Sequence, residues 1–159
     1  MRESAERFVE RFSPHVIELT MVLPSGPLAL YVSVLETSEE IIVHSVAPFI
    51  ATAGDYTRTS EFLARANHGL SQGTFELNFT SGQLRFRTSI YVDRLQLSAR
   101  LLQKVVMTNA LLMDKYLPAL ARVVLDGDAP AVAPAQIEQP SQTVAGAFAD
   151  SLGEIDPRR

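Results

Sequence analysis

Cysteine is missing from all 159 residues. Disulfides, thiolate nucleophiles and cysteine-held zinc or iron–sulfur sites are thereby excluded. Long apolar runs are missing too: no stretch approaches the roughly 20 residues of a membrane span. The N-terminus MRESAERFVERF carries charges where a signal peptide needs an apolar stretch. A cytoplasmic chain with no membrane partner is the expectation. No GxSxG elbow, GxxxxGK loop or GxGxxG turn occurs, and His15, His44 and His68 have no HExxH-like spacing. The sequence therefore predicts no catalytic residue, no metal and no cofactor, and the chain reads as a non-enzyme.

What is present suffices for one core. With 47% apolar and 20% charged residues the chain reads as one domain over residues 1–127 plus a tail. The net charge of −4 conceals a pattern. Residues 1–56 hold three Arg/Lys against eight Asp/Glu, whereas residues 57–104 hold seven against three. This middle block contains Arg58, Arg65, Arg85 and Arg87, which are candidate binding residues. Its basic residues are spread over a helix, a hairpin and a loop without interleaved aromatics, which speaks against nucleic acid as the partner.

Periodicity supplies an α+β fold class. SAERFVERF sets Ala5, Phe8, Val9 and Phe12 on one helical face behind a Ser4 cap, predicting a short first helix. Ile17, Leu19, Met21 and Leu23 then alternate, as do Leu28, Leu30, Val32 and Val34 after Pro24-Ser25-Gly26-Pro27. This predicts a hairpin with Leu23 opposite Leu28. A third strand at 41–46 completes a meander. TRTSEFLARANH predicts a second helix capped by Asp55 or Thr57, with Phe62, Leu63 and Ala66 inward and Gly69 as a left-handed stop. Gly73 is the hinge into a second hairpin, with Phe79 opposite Leu84 and Glu76 opposite Arg87. Asn67 and His68 read as parts of a joint, not as a reactive pair. A long helix starts at Ser98, and Pro118 should kink or split it. Its apolar positions exceed the roughly 100° stripe that one sheet requires, suggesting a second copy of the chain as partner.

That order, with EFLARANHGLSQGTFELNFTSGQLRFRTSIYV and MDKYLPALARVV, resembles the YbjN-domain family, whose fold is similar to type III secretion chaperones. The resemblance covers residues 1–127. It rests on Asn67, Gly73 and Phe75, the amphipathic hairpin, and a long helix interrupted near Tyr-x-Pro. It implies an α/β sandwich that dimerises, in a family of chaperone-like or regulatory proteins, and it carries over no functional residue.

After Gly127, DGDAPAVAPAQIEQPSQ has no core-forming period, so residues 128–142 read as a disordered linker. In residues 143–159, Val144, Phe148, Leu152 and Ile155 draw one apolar stripe down a helix, and Phe148 and Leu152 are candidate binding residues. The functional expectation is a homodimeric, chaperone-like or regulatory module that binds a protein or peptide. The alternative is a small-molecule-binding or enzymatic domain with an unrecognised pocket.

Overall fold

The computed structural model describes residues 7–13, 15–93 and 97–130. Four strands come first: β1 (Arg7–Ser13), β2 (Val16–Leu23), β3 (Gly26–Leu35) and β4 (Glu40–Ile50). Helix α1 (Tyr56–Gly69), strands β5 (Thr74–Leu77) and β6 (Gln83–Tyr91), helix α2 (Ala99–Ala121) and a π-turn (Arg122–Asp126) follow. The six strands form one antiparallel sheet in the order β1-β2-β3-β4-β6-β5. The expected α+β class holds.

The first element differs from expectation. Residues 7–13 form a strand, with Arg7 opposite Met21 and Arg11 opposite Ile17. The proposed Ser4 cap lies outside the described residues. Phe8, Val9 and Phe12 suit a pleated surface, an isolated helix of this length is marginal in water, and β2 would otherwise leave its backbone edge unpaired. Tertiary pairing outweighs the weak helical period.

Alternation along the strands assigns the faces. Leu30, Val43 and Phe86 are fully buried on the inner face, beside Met21, Leu28 and Leu84. α1 contributes Phe62, Leu63 and Ala66 to the same core, and α2 contributes Val106, Ala110, Met113, Tyr116 and Leu120. Much of α2's apolar surplus is therefore absorbed within one chain, although Leu111 stays exposed.

Both hairpins keep the expected parity but shift by one residue pair. Met21, not Leu23, stands opposite Leu28, and Leu23 stands opposite Gly26. The positive φ of Gly26 lets β3 begin directly after a two-residue Pro24-Ser25 turn. Leu77, not Phe79, stands opposite Leu84, and Glu76 stands opposite Arg85. Here Asn78 ends the ladder: its Oδ1 accepts from the Thr80 and Ser81 amides at 2.8 and 3.2 Å, making a side-chain turn. Phe79 is left outside, edge-on to Tyr56 at 5.3 Å. A shift of two residues preserves which face each side chain takes, so the core set is unchanged.

The third strand also runs longer than 41–46. A register shift between Val46 and Ile50 accommodates Pro48, and Ile50 then pairs with Gln83.

Ser98 caps α2 as expected, its Oγ accepting from the Leu101 amide at 3.1 Å. Pro118 does not split the helix, which runs unbroken from Ala99 to Ala121. A proline has no N–H to offer the carbonyl four residues earlier, which belongs to Asp114. The Ser25 hydroxyl donates to that carbonyl at 3.2 Å, and the Ser25 amide donates to Asp114 Oδ1 at 3.0 Å. Asp114 is thus a clip between α2 and the β2–β3 turn.

Candidate functional site

The stretch between α1 and β5 is a joint built around one side chain. β5 is an edge strand. Asn67 Oδ1 accepts from the Phe75 amide at 2.7 Å and Asn67 Nδ2 donates to the Phe75 carbonyl at 3.0 Å. One amide group thereby occupies the backbone pair that an edge would leave open. Gly69 is not left-handed. It is the last helical residue, and the Leu70 amide bonds to the Asn67 carbonyl. Left-handed geometry falls instead at Gly73, φ +78°, where a Cβ would lie 2.9 Å from the Arg87 carbonyl oxygen. Asn67→Ala leaves the Phe75 groups unpaired and should cost about 1–3 kcal/mol. A urea midpoint unchanged from wild type would refute this role.

The four basic candidates do not form one surface. Arg58 and Arg65 stand on α1, whose apolar face joins the inner core. Arg58 Nε donates to the Val123 carbonyl at 2.8 Å and the guanidinium pairs with Asp55, so Arg58 ties α1 to the π-turn. Arg65 pairs with Glu61 one turn back at 2.7 Å. Arg85 and Arg87 lie on the outer face and converge on Glu76, at 2.6 and 2.8 Å. Each of the four thus has a carboxylate partner. Phe148 and Leu152 lie outside the described residues.

On that outer face the same register aligns Glu18, Tyr31, His44 and Arg87 in a row. Tyr31 donates to Glu18 at 3.1 Å. Burial pushes the Tyr31 phenol up, and the Glu18 bond adds to the rise. Burial, then Arg85, pulls His44 down, opposed by Glu76, with Arg87 pulling down again. For Glu76 burial raises the pKa, but bonds from Arg87 and Arg85 outweigh it and hold the carboxyl below its ordinary 4.5. A depressed carboxyl stabilises the fold fully above the unfolded value, and that stability is lost as pH falls through the folded one. Both guanidiniums are more than a third exposed, so solvent screening limits Glu76→Gln to a cost of about 1 kcal/mol at neutral pH. The gap between wild type and variant should close as pH drops below 4.5. A gap that stays constant down to acid pH would contradict this pairing.

One concave feature among the described residues is apolar. Ile17, Leu19, Met21 and Val32 form its sheet wall, Ala99, Leu102, Val106 and Met107 its helix wall, and Gln103 supplies a polar group, enclosing about 430 Å³. Two anchors produce the groove. Asn109, fully buried, donates from Nδ2 to the Val43 and Phe86 carbonyls and to Thr88 Oγ1, at 3.0 to 3.2 Å, holding α2 over β4 and β6. The Ser25–Asp114 clip holds the later turns of α2 to the β2–β3 turn. The groove lies beside the first turns of α2, where Ala99, Leu102, Val106 and Met107 face β2 and β3. Sequence reasoning placed these apolar residues on the right faces but could not see them separate. Nor did it single out Asn109, whose signal was one amide on an otherwise apolar helical face.

A second depression, of about 420 Å³, is more polar and includes Ser71, Gln72, Thr88, Lys104 and Thr108. The groups with shifted pKa among the described residues, Tyr31, His44, Asp55 and Glu76, do not line it. Among the described residues no group of three His, Asp or Glu side chains could hold a metal ion, and no helix is long and apolar enough to cross a membrane.

No family model matches the chain, and no curated protein matches it either. Among solved structures, the chain is similar to one in the crystal structure of the ExsC–ExsE complex. The identity is 10% and the TM-score 0.46, over 64% of this chain and 74% of that one.

Proposed function

We propose that this chain is a non-enzymatic protein-binding module of the YbjN type, chaperone-like or regulatory. One observation carries the reading: the 430 Å³ groove between α2 and β2/β3, lined by eight apolar residues and Gln103. Grooves of this composition receive the apolar side chains of an amphipathic segment. Their specificity comes from shape and from the anchor residues, not from convergent acids and bases. The walls are positioned by a buried tie at Asn109 and a surface tie at Asp114, so the groove is formed before a ligand arrives, which lowers the entropic cost of binding. We also propose a homodimer through the flank of α2 that carries Leu111, the large apolar residue that this helix leaves exposed.

Panning a library of amphipathic peptides against the full chain and against Met107→Asp tests the groove. Peptides retained by wild type and lost by the variant, at unchanged melting temperature, are expected. Equal retention by both would end the groove reading. Light scattering tests the dimer separately, and a monomer at tens of micromolar would overturn it.

A further inference from the structure

We infer that the groove's resident ligand is the chain's own C-terminal segment, with Phe148 and Leu152 as its anchors; this rests on the groove being a peptide site. The dimensions select those anchors. Residues 99–107 of α2 span about 12 Å at 1.5 Å per residue, and residues 17–21 of β2 span about 14 Å at 3.4 Å per residue. The apolar stripe from Val144 to Ile155 runs over eleven residue steps, about 17 Å as a helix. The groove therefore seats Phe148, Leu152 and one flanking anchor, not all four.

The tail can reach. Asp128 is fastened to Arg122, its carboxylate accepting from Nε at 2.8 Å and its amide donating to the Arg122 carbonyl at 3.1 Å. This fixes where the chain leaves the domain, at the far end of α2 from the groove. Gln103 lies 23 residues back from Asp126, about 35 Å along the helix axis. The 18 residues that follow Pro130 and end at Phe148 extend to about 59 Å, so the segment spans the distance with slack.

Charge favours the same occupant. Arg100 stands on α2 beside the helix wall of the groove, whereas the segment carries Asp150, Glu154 and Asp156 against Arg158 and Arg159. At helical spacing Asp156 flanks the apolar stripe, while Asp150 and Glu154 lie on its opposite side and contribute longer-range attraction. This pairing replaces the one with Arg58, Arg65, Arg85 and Arg87, each of which already has a carboxylate partner. Gly146 and Gly153 make the segment a poor helix alone, so it gains order on docking, and tethering offsets its weak intrinsic affinity. Occupied by its own tail, the groove admits a partner only by displacement.

A labelled synthetic peptide of residues 143–159, titrated against three full-length proteins, decides the matter. The proteins are wild type, Phe148→Asp/Leu152→Asp, and that double variant with Met107→Asp added. The tail-defective protein should bind the peptide. Wild type should bind it about tenfold more weakly, the factor expected for a tether concentration of about 1 mM and a Kd of about 0.1 mM. Adding Met107→Asp should abolish binding. Equal binding to wild type and the tail-defective protein, or no binding to either, overturns tail docking. In both cases the library experiment with Met107→Asp still reports on the groove itself, so the two failures are distinguishable.

Discussion

Gly82→Ala should lower the stability of the domain by about 2–5 kcal/mol. Gly82 sits at φ +73°, and a Cβ there would lie 2.0 Å from the carbonyl oxygen of Ala51. That oxygen is backbone and cannot swing aside, because the neighbouring groups are bonded: the Ala51 amide donates to the Gly82 carbonyl at 2.9 Å and the Gly82 amide to the Asn78 carbonyl at 2.7 Å. The left-handed conformation contributes about 1–2 kcal/mol of the cost, and forcing a methyl into filled space about 1–3. With a urea slope of about 1–3 kcal/mol per molar, the midpoint should fall by roughly 1–2 M. A midpoint within about 0.3 M of wild type would mean that the β5–β6 turn does not pack against the end of β4 as described.

Phe86→Ala should cost about 3–5 kcal/mol, the range for removing a fully buried aromatic ring. Phe86 has no exposed surface, its ring centroid lies 4.6 Å from that of Phe75, and its carbonyl accepts from Asn109. For a domain of this size each kcal/mol lowers Tm by about 2–4 °C, so a drop of roughly 6–20 °C is expected. Phe79→Ala is the matched control. That ring is 63% exposed and touches Tyr56 edge-on, so its removal should cost no more than about 1 kcal/mol. Comparable losses at both positions would restore the register with Phe79 opposite Leu84 and refute the one described here.

That comparison marks the limit of what alternation reveals. Apolar residues at every second position state which face is buried, and both hairpins obeyed that parity. A shift of one residue pair leaves parity untouched, so the choice between Leu77 and Phe79 as partner of Leu84 fell to Asn78, whose side chain closes the turn. The candidate site behaves similarly. The apolar identity of Leu19, Leu102 and Met107 was legible. The opening between them was not, because it depends on where Asn109 and Asp114 anchor a helix to strands far away in sequence.

By itself the sequence determined the α+β class, the inner face of each strand from β2 onward, the Ser98 cap and the joint role of Asn67 and Gly73. Each of these rests on local chemistry: a period of two, a hydroxyl ahead of a helix, an amide beside a turn, a glycine at positive φ. Tertiary structure alone decided that residues 7–13 are a strand, because the gain comes from pairing β2's open edge, which no local window contains. It also decided that α2 passes through Pro118 unbroken, because the carbonyl that proline leaves free meets the hydroxyl of Ser25, 89 residues away from Asp114.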